Sequence, residues 1–303
     1  MHYVIAGSSG LIGTALVERL RKSGHTCTTL VRREARTETE SAWDPTGGMI
    51  DPDVIASADV VINLAGASIG GKRLQGAYLE KVRSSRTVTT ALLSTTLART
   101  RPDGRLIQAS AMGYYGTPGD HPLDETAPVG RTVLAGVVDE WESSTDAAVQ
   151  AGVAVSLVRT SHVLAPWGGL ADRLLPLVRL GLLRSMGNGR QWMPWISLVD
   201  AARAFEFLST RDHSGPINLC SPHETTNREV IHALAHAADR PSLIPVPGWI
   251  IRALIGPASH DMLNSQRLVP TALKKLGFEW THPTIDTAAE YTMEKLAGIN
   301  PTH

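Results

Sequence analysis

The chain has few residues of the kinds that cross-link a protein or fix it to a charged surface. Its 303 residues include two cysteines, Cys27 and Cys220, and both lie in apolar runs. We therefore expect buried free thiols rather than a disulfide or a metal site. Lys and Arg together number 29, as do Asp and Glu, so the formal net charge is zero and no basic cluster suggests nucleic acid.

Long apolar runs are also missing. No stretch approaches the length that spans a bilayer, and the N-terminus resembles a strand rather than a signal peptide. We expect a cytoplasmic protein with no membrane partner. The partner that remains is a small-molecule substrate, and the sequence leaves open whether the chain is a monomer or a homodimer.

A glycine-rich turn near the N-terminus joins two elements of different character. Residues 3–6 form an apolar run that predicts a strand, residues 11–20 carry apolar side chains at helical spacing, and residues 26–31 predict a second strand. The turn consists of Gly7, Ser8, Ser9, Gly10, Leu11, Ile12 and Gly13. Strand, glycine turn, helix and strand are the context that a dinucleotide-binding motif requires.

Each glycine of this turn has a physical role in that interpretation. Gly7 permits the sharp turn after the strand, Gly10 lets a pyrophosphate approach the backbone, and Gly13 lets the helix pack against the strand. The helix N-terminus favours an anion because its N–H groups are unpaired and its dipole is positive there. An ordinary structural turn is the alternative, and the flanking strand and helix favour nucleotide binding.

The end of the second predicted strand bears on which nucleotide binds. NAD enzymes usually place an acid there for the ribose hydroxyls, whereas an arginine accommodates the 2′-phosphate of NADP. This chain has Arg32 and Arg33, and the first acid is Glu34. The pattern favours NADP(H) over NAD, with a solvated arginine pair as the alternative.

Two further stretches are expected to reach the cofactor. The apolar run 59–66 predicts a buried strand ending in Leu64, Ala65 and Gly66, which would line the adenosine and ribose. A helix predicted over 77–99 carries Lys81 and Arg86, which either flank a phosphate or belong to a solvated helix face.

Candidate catalytic residues follow the next strand, predicted over 105–111. Tyr114 and Tyr115 come directly after it, in a chain with only 5% aromatic residues. Substrate contact or proton transfer and simple aromatic packing are equally consistent with this position. A helix predicted over 133–150 precedes a strand over 153–158, whose exit should bring His162 toward the nicotinamide end, although a structural histidine is the commoner case.

The regular alternation of strands and helices fades after residue 165. We therefore expect a nucleotide-binding domain over 1–165 and a smaller lobe over 166–303 that covers its mouth and forms a substrate pocket. Helices are predicted in that lobe over 172–182, 198–209, 226–238 and 286–297.

Several short motifs together resemble a known family. They are the glycine turn, Asn63-Leu64-Ala65-Gly66, Trp43-Asp44-Pro45, Ser85-Arg86, residues 110–116, Trp141-Glu142, residues 194–197 with Asp200, Arg240-Pro241, Val246-Pro247, residues 266–270 and Gly277-Phe278. The pattern is similar to the extended short-chain dehydrogenase/reductases, and within them to an atypical family of NAD(P)-dependent sugar-nucleotide epimerases and dehydratases with an added C-terminal region.

This resemblance implies an α/β fold: a Rossmann-type, doubly wound parallel sheet with a smaller mixed α/β C-terminal lobe. It also implies bound NADP(H). The cofactor positions would be the glycine turn, Val31, Arg32, Leu64, Ala65, Lys81, Arg86 and Val163.

The chain departs from the superfamily at the positions that transfer protons. Ala111 stands where the superfamily has Ser or Thr, and Leu134 and Val138 stand near the positions of its Tyr-x-x-x-Lys pair. In that pair the lysine lowers the pKa of the tyrosine so that it can act as an acid and base. The remaining candidates are Ser110 and the two tyrosines.

Two functions are therefore consistent with the sequence. One is an NADP(H)-dependent oxidoreductase or epimerase-like enzyme that acts on a small hydroxyl or carbonyl compound, sugar derivatives included. The other is a non-catalytic NADP(H)-binding sensor or regulatory protein.

We predict that Arg32→Ala weakens binding of NADP more than binding of NAD, because only NADP carries the 2′-phosphate. One charge-assisted contact contributes about 1.5 to 3 kcal/mol, so NADP affinity should fall at least about tenfold. Calorimetric titration with each dinucleotide measures the difference. Equal weakening of both would contradict phosphate recognition by Arg32.

Overall fold

Seven parallel strands form the central sheet of the protein, in a computed structural model that describes residues 1–69, 75–179, 181, 183–250 and 264–299. The strands are β1 (His2–Ala6), β2 (Thr26–Val31), β3 (Glu40–Ala42), β4 (Val60–Asn63), β5 (Arg105–Ala111), β6 (Pro122–Leu123), β7 (Ala154–Thr160), β8 (His162–Leu164), β9 (Leu183–Met186), β10 (Trp195–Ser197), β11 (Gly215–Leu219), β12 (Ile244–Val246) and β13 (Arg267–Leu268). The large sheet has the order β11-β7-β5-β4-β1-β2-β3.

Helices connect these strands and cover both faces of the sheet. They are α1 (Leu11–Lys22), α2 (Pro52–Ala56), α3 (Gly76–Thr100), α4 (Val133–Ser143), α5 (Asp146–Gln150), α6 (Gly169–Arg179), α7 (Leu198–Ser209), α8 (Asn227–Ala237), α9 (Thr271–Lys275) and α10 (Ile285–Ile299). The Rossmann-type, doubly wound fold expected from the sequence is confirmed.

The strand order reverses beside β1, and this reversal locates the ligand crevice. The chain proceeds outward from β1 to β2 and β3 on one side, then returns to β4 on the other side and continues to β5, β7 and β11. The helices that follow β1 and β4 therefore diverge, which opens a crevice beyond the carboxyl ends of these strands.

Burial explains why these strands are nearly continuous apolar runs. Val4 and Ile5 of β1 are both fully buried, with their side chains on opposite faces of the sheet. Ile5 packs with Leu16 of α1 and Phe205 of α7, whereas Val4 packs with Leu93 of α3. The sheet is thus a central layer between two helical layers.

One predicted helix proved to be two. The expected helix over 133–150 ends at Ser143 and a new one begins at Asp146. Ser94 of α3 explains the break, because its hydroxyl donates to the Thr145 carbonyl at 3.0 Å and accepts from Ala148 N at 2.8 Å. A contact between distant segments ended a helix that its own apolar pattern would continue.

A second apolar core lies in the C-terminal part of the chain. Leu174 of α6, Ile231 of α8 and Ala288 of α10 meet there with Trp195, and all four are at most 1% exposed. The division at residue 165 stays a prediction. α7 and β11, which follow that residue, nevertheless belong to the large sheet layer, because β11 pairs with β7 and α7 packs on α1.

Both cysteines are buried free thiols, as predicted. Burial raises the pKa of each, so neither is activated as a nucleophile. Within the described ranges, no helix combines the length and hydropathy that crossing a bilayer requires. The cytoplasmic location stays a prediction.

A buried carboxylate ties the large sheet layer to the C-terminal segment. Asp200 of α7 is 0% exposed and accepts from Thr281 N at 2.7 Å and from His282 N at 2.9 Å. It also accepts from the Ser197 hydroxyl and from Arg203, each at 3.0 Å. These bonds fix the segment before α10 against the start of α7.

We predict that Asp200→Ala destabilises the protein by about 3 kcal/mol, because it leaves buried donors without an acceptor. Urea unfolding would measure the change in free energy. Asp212→Ala is the control, since Asp212 is exposed and has no hydrogen bond to a described residue, and it should change stability by less than about 0.5 kcal/mol. A similar small effect for Asp200→Ala would contradict the anchoring role.

Candidate cofactor-binding cleft

A cleft of about 370 Å³ lies at the carboxyl ends of the central strands, beside the start of α1. Its lining comprises Gly7, Gly10, Leu11, Ile12, Gly13, Leu64, Ala109, Ser110, Thr160, Ser161, His162, Val163, Gly169 and Leu170. The structure therefore brings most of the glycine turn together with Leu64, Ser110, His162 and Val163, all of which the sequence singled out.

The three glycines of the turn, Gly7, Gly10 and Gly13, differ in whether the surrounding backbone leaves room for a side chain. Gly7 has φ +79°, and a Cβ there would lie 2.5 Å from the Leu64 carbonyl carbon. A Cβ on Gly13 would lie 2.3 Å from the Gly7 carbonyl oxygen. The backbone itself therefore excludes a side chain at both positions.

Gly10 is different, because a Cβ there would meet only the Gly7 carbonyl oxygen, at 3.3 Å. The fold tolerates this contact with a small shift, so internal packing does not require glycine. Gly10 is also the N-cap of α1, no side chain caps the helix, and its first turn contains no acid. The bare, positive helix end facing the cleft suits the pyrophosphate of a dinucleotide.

The two arginines after β2 are in different states. Arg33 donates to both carboxylate oxygens of Glu40, at 2.9 and 2.6 Å, and the Arg33 guanidinium lowers the pKa of Glu40 to about 2. Arg32 is exposed and makes no hydrogen bond or ion pair with any described residue. Arg32 is therefore the one available for a phosphate.

Arg86 of α3 is a buried cation without an acidic partner among the described residues. It is 8% exposed, and its one hydrogen bond runs from Nη1 to the Val82 carbonyl at 2.9 Å. Its guanidinium carbon lies 5.0 Å from the Trp141 ring centroid, and a Cβ on Gly66 would lie 3.1 Å from it. Burial lowers the pKa of Arg86 to about 10, so the side chain remains charged at neutral pH.

The remaining predicted cofactor positions surround this region. Lys81 is exposed on α3 and contacts no described partner, so it does not share the buried environment of Arg86. Ala65 packs partly into the core beneath β4, and Val31 is half-buried at the end of β2. Their roles in cofactor binding stay predictions.

Ser110 begins a buried hydrogen-bond network that runs away from the cleft. Its hydroxyl donates to Glu142 Oε1 at 2.5 Å, and Arg159 donates to both Glu142 oxygens at 2.9 and 2.8 Å. Arg159 also donates to the Tyr115 hydroxyl at 3.0 Å, which in turn donates to Asn218 Oδ1 at 2.6 Å. Each of these polar groups is satisfied inside the protein.

The hydroxyl of Tyr115 therefore both donates and accepts a hydrogen bond within this network. It is 2% exposed, and burial raises its pKa to about 12. It therefore keeps its proton at neutral pH and cannot accept one. Tyr114 is half-buried, and its hydroxyl has no hydrogen-bond partner among the described residues, while the Arg159 guanidinium lies 3.5 Å from its ring centroid.

The helix beside this network lacks an acid–base pair. α4 spans Val133–Ser143 and contains no tyrosine and no lysine. A Cβ on Gly113, just beyond β5, would lie 3.0 Å from Leu134 Cδ2 and 3.7 Å from Val138 Cγ2. Apolar side chains therefore occupy the helix face that meets the end of β5.

Sequence reasoning missed the members of the network other than Ser110 and Tyr115. Glu142 belonged to a recognised motif, Trp141-Glu142, but had no assigned role, and Arg159 lies just beyond the strand predicted over 153–158. A buried ion pair 17 residues apart in sequence leaves no periodic signal. Gly169 and Leu170 were likewise missed, because they follow the point where regular alternation stops.

A second cavity, of about 420 Å³, lies in the C-terminal part of the structure among α8, β9 and the start of α10. Arg184, Arg228, His223 and His232 line it together with Glu224, Glu229 and Asp286. Most of the side chains that line this cavity are polar or charged, and Ile285 adds an apolar surface.

We predict that Arg86→Met stabilises the apo protein and weakens NADPH binding. Lowering the pKa of Arg86 from 12.5 to about 10 corresponds to a burial penalty on the order of 3 kcal/mol. This penalty applies throughout neutral pH, because Arg86 is charged in both folded and unfolded chains there. After loss of the carbonyl and ring contacts, the net gain should be about 1 to 2 kcal/mol.

NADPH affinity of Arg86→Met should fall at least about tenfold if an anionic group of the cofactor lies beside the guanidinium. Thermal unfolding and calorimetric titration measure the two effects. Arg83→Met is the matched control, since Arg83 lies on the same helix but is exposed and paired with Glu140. A destabilised variant with unchanged affinity would contradict a ligand-binding role for Arg86.

Known proteins resemble the chain over nearly its whole length. Residues 3–220 match the model of the NAD dependent epimerase/dehydratase family, and residues 246–292 match a domain of unknown function, DUF1731. An epimerase family protein of Mycobacterium tuberculosis is 41% identical over 289 residues, which cover 95% of this chain and 96% of that protein.

Solved structures show the same similarity. The human epimerase family protein SDR39U1, solved with NADPH, has a TM-score of 0.86 at 26% identity, covering 98% of this chain and 100% of that one. UDP-glucuronic acid 4-epimerase from Bacillus cereus, solved with NAD, has a TM-score of 0.76 at 14% identity over 99% of both chains, which shows the fold alone.

The glycine turn, the strand order around it and these similarities agree with one another. They confirm the family and the C-terminal region that the sequence motifs indicated. The chain belongs to the NAD dependent epimerase/dehydratase family, as an NAD(P)-binding protein of the SDR39U1-like group.

Proposed function

We propose that the protein is an NADP(H)-dependent oxidoreductase or epimerase-like enzyme that acts on a small hydroxyl or carbonyl compound, with sugar derivatives the first class to test. The observation that carries the proposal is the cleft over the bare N-terminus of α1, beside a buried arginine that no described acid neutralises. An anionic dinucleotide would supply the negative charge that balances both the positive helix end and the guanidinium.

NADP(H) is preferred to NAD because Arg32 is available to the 2′-phosphate. Arg32 is exposed and unpaired among the described residues, and it follows the strand whose end determines recognition of the 2′-hydroxyl or 2′-phosphate. Arg33, by contrast, is paired with Glu40. NADPH in the human relative supports this choice, whereas the NAD of the Bacillus cereus enzyme belongs to a more distant fold neighbour.

Bound NADP(H) would supply hydride transfer, and the chain's own residues would bind and orient the reactants. The helix end and Gly10 would receive the pyrophosphate. Ala109, Thr160 and His162 line the same cleft as Ser110 and would surround the nicotinamide and substrate.

Proton transfer in this proposal involves the three residues predicted from the sequence. Ser110 lines the cleft, and because its hydrogen is directed to Glu142, its oxygen can accept a hydrogen bond from a ligand hydroxyl. Tyr114 is the proton-transfer candidate, since its hydroxyl is uncommitted among the described residues. Tyr115, held by Asn218 and Arg159, would position that group.

The second candidate function is a non-catalytic NADP(H) sensor. It is favoured by the apolar face of α4, where Leu134 and Val138 replace an acid–base pair, and by the internal bonding of Ser110 and Tyr115. In this alternative, cofactor binding would change the relation of the two lobes or a protein contact, and no substrate would be turned over.

We predict slow but measurable oxidation of NADPH with a panel of carbonyl compounds, or reduction of NADP with sugar derivatives. Tyr114→Phe should lower kcat at least about 100-fold, the usual contribution of a positioned acid or base, with little effect on NADPH affinity. Absorbance of the reduced nicotinamide follows the reaction, and calorimetry measures the affinity.

Val149→Ala is the control for this experiment, because Val149 is an exposed apolar residue of α5 outside the cleft lining. It should leave both quantities unchanged. Tight NADPH binding without turnover of any compound would favour the sensor. Absence of NADPH and NADP binding would exclude both functions.

A further inference from the structure

The turn after β8 is held rigidly against the start of α1. Leu164 and Gly169 form an antiparallel bridge that closes the turn. Gly168 and Gly169 have φ values of +73° and +62°, which a side chain would strain. A Cβ on Gly169 would lie 2.3 Å from the Val163 carbonyl oxygen, so the turn has little freedom to move away.

The same turn lies at the rim of the cofactor cleft. Cβ atoms built on Gly168 and Gly169 would lie 3.4 and 3.2 Å from the side chain of Leu11, the first residue of α1. Leu11, Gly169 and Leu170 all line the cleft. The residue that precedes Gly168 is therefore adjacent to the helix end that would hold the pyrophosphate.

That residue is Trp167, and its indole is unused by the fold. It is 54% exposed, and in the described part of the chain it makes no ring contact, cation–π contact or hydrogen bond. Trp43, Trp141 and Trp195, by contrast, are at most 5% exposed. Such a side chain presents apolar area and an N–H donor from a backbone that is already ordered, so binding has only the side chain left to order.

We propose that Trp167 is a cofactor contact, whose indole covers the pyrophosphate and adjoining ribose of NADP(H) from the solvent side and donates its Nε1–H to a phosphate oxygen. The inference rests on the proposed function, since it requires a dinucleotide at the start of α1. The indole face suits the ribose, its N–H suits the phosphate, and Ala165 and Pro166, both buried, fix the turn that presents it.

Covering the ligand from solvent slows its release more than its arrival, so the effect should appear in the dissociation rate. In stopped-flow experiments with excess NADP as the trap, Trp167→Ala should release NADPH about tenfold faster than the unmodified protein, as expected for loss of one hydrogen bond and partial burial. Trp167→Phe should lie between them, because it retains the apolar face and lacks the donor.

A second readout is energy transfer from tryptophan to bound NADPH. Trp167→Phe should lose a large part of this transfer, whereas Trp249→Phe should keep it. Trp249 is the control, because it is also exposed, at 69%, but lies outside the turn that packs against Leu11 of α1. Urea unfolding should be unchanged in every variant, since neither side chain packs in the core.

The results distinguish failure of the proposed Trp167 contact from failure of the proposed function. If the unmodified protein binds NADPH but Trp167→Ala releases it at the same rate and Trp167→Phe keeps full energy transfer, Trp167 is not a cofactor contact and the proposed function stands. If the unmodified protein binds neither NADPH nor NADP, the proposed function fails and the inference fails with it.

Discussion

Close backbone contact between the glycine turn and the end of β4 is the constraint on which the cleft depends. A side chain on Gly7 would overlap the Leu64 carbonyl, and one on Gly13 would overlap the Gly7 carbonyl. Because both are absent, α1 begins close to the sheet, with its positive end directed at the crevice where the strand order reverses. Gly10, which no internal contact requires to be glycine, leaves the approach to that helix end open.

Two buried arginines, Arg159 and Arg86, differ in how their charge is compensated. Arg159 is 4% exposed and fully paired with Glu142, so its charge is compensated within the fold. Arg86 is almost as deeply buried, and among the described residues its polar and aromatic contacts are a carbonyl and a ring, with no acid. A buried charge without a counter-ion costs free energy. The two arginines therefore differ in whether a described acid compensates their charge.

The same network that satisfies Arg159 also limits the chemistry available at the end of β5. Glu142 receives the hydrogen of Ser110, Asn218 receives that of Tyr115, and apolar residues of α4 occupy the neighbouring face. Asn218 also donates to the carbonyls of Leu123 and Val269, which connects the network to the short β6–β13 pair. The hydroxyl groups of Ser110 and Tyr115 are therefore used in internal hydrogen bonds, whereas that of Tyr114 has no hydrogen-bond partner among the described residues.

The sequence alone determined the fold class, the glycine turn before α1 and the limits of β2 and β5, because these depend on local periodicity and on glycines at fixed spacing. It also pointed to Arg32 and Arg86 but did not distinguish their states. Tertiary structure decided that Glu40 pairs with Arg33, that Arg86 is buried with no acid beside it among the described residues, that Ser94 divides a helix, and that Tyr115 is enclosed in a network. Each of these results from contacts between residues distant along the chain, or from burial, and neither leaves a periodic pattern in the sequence.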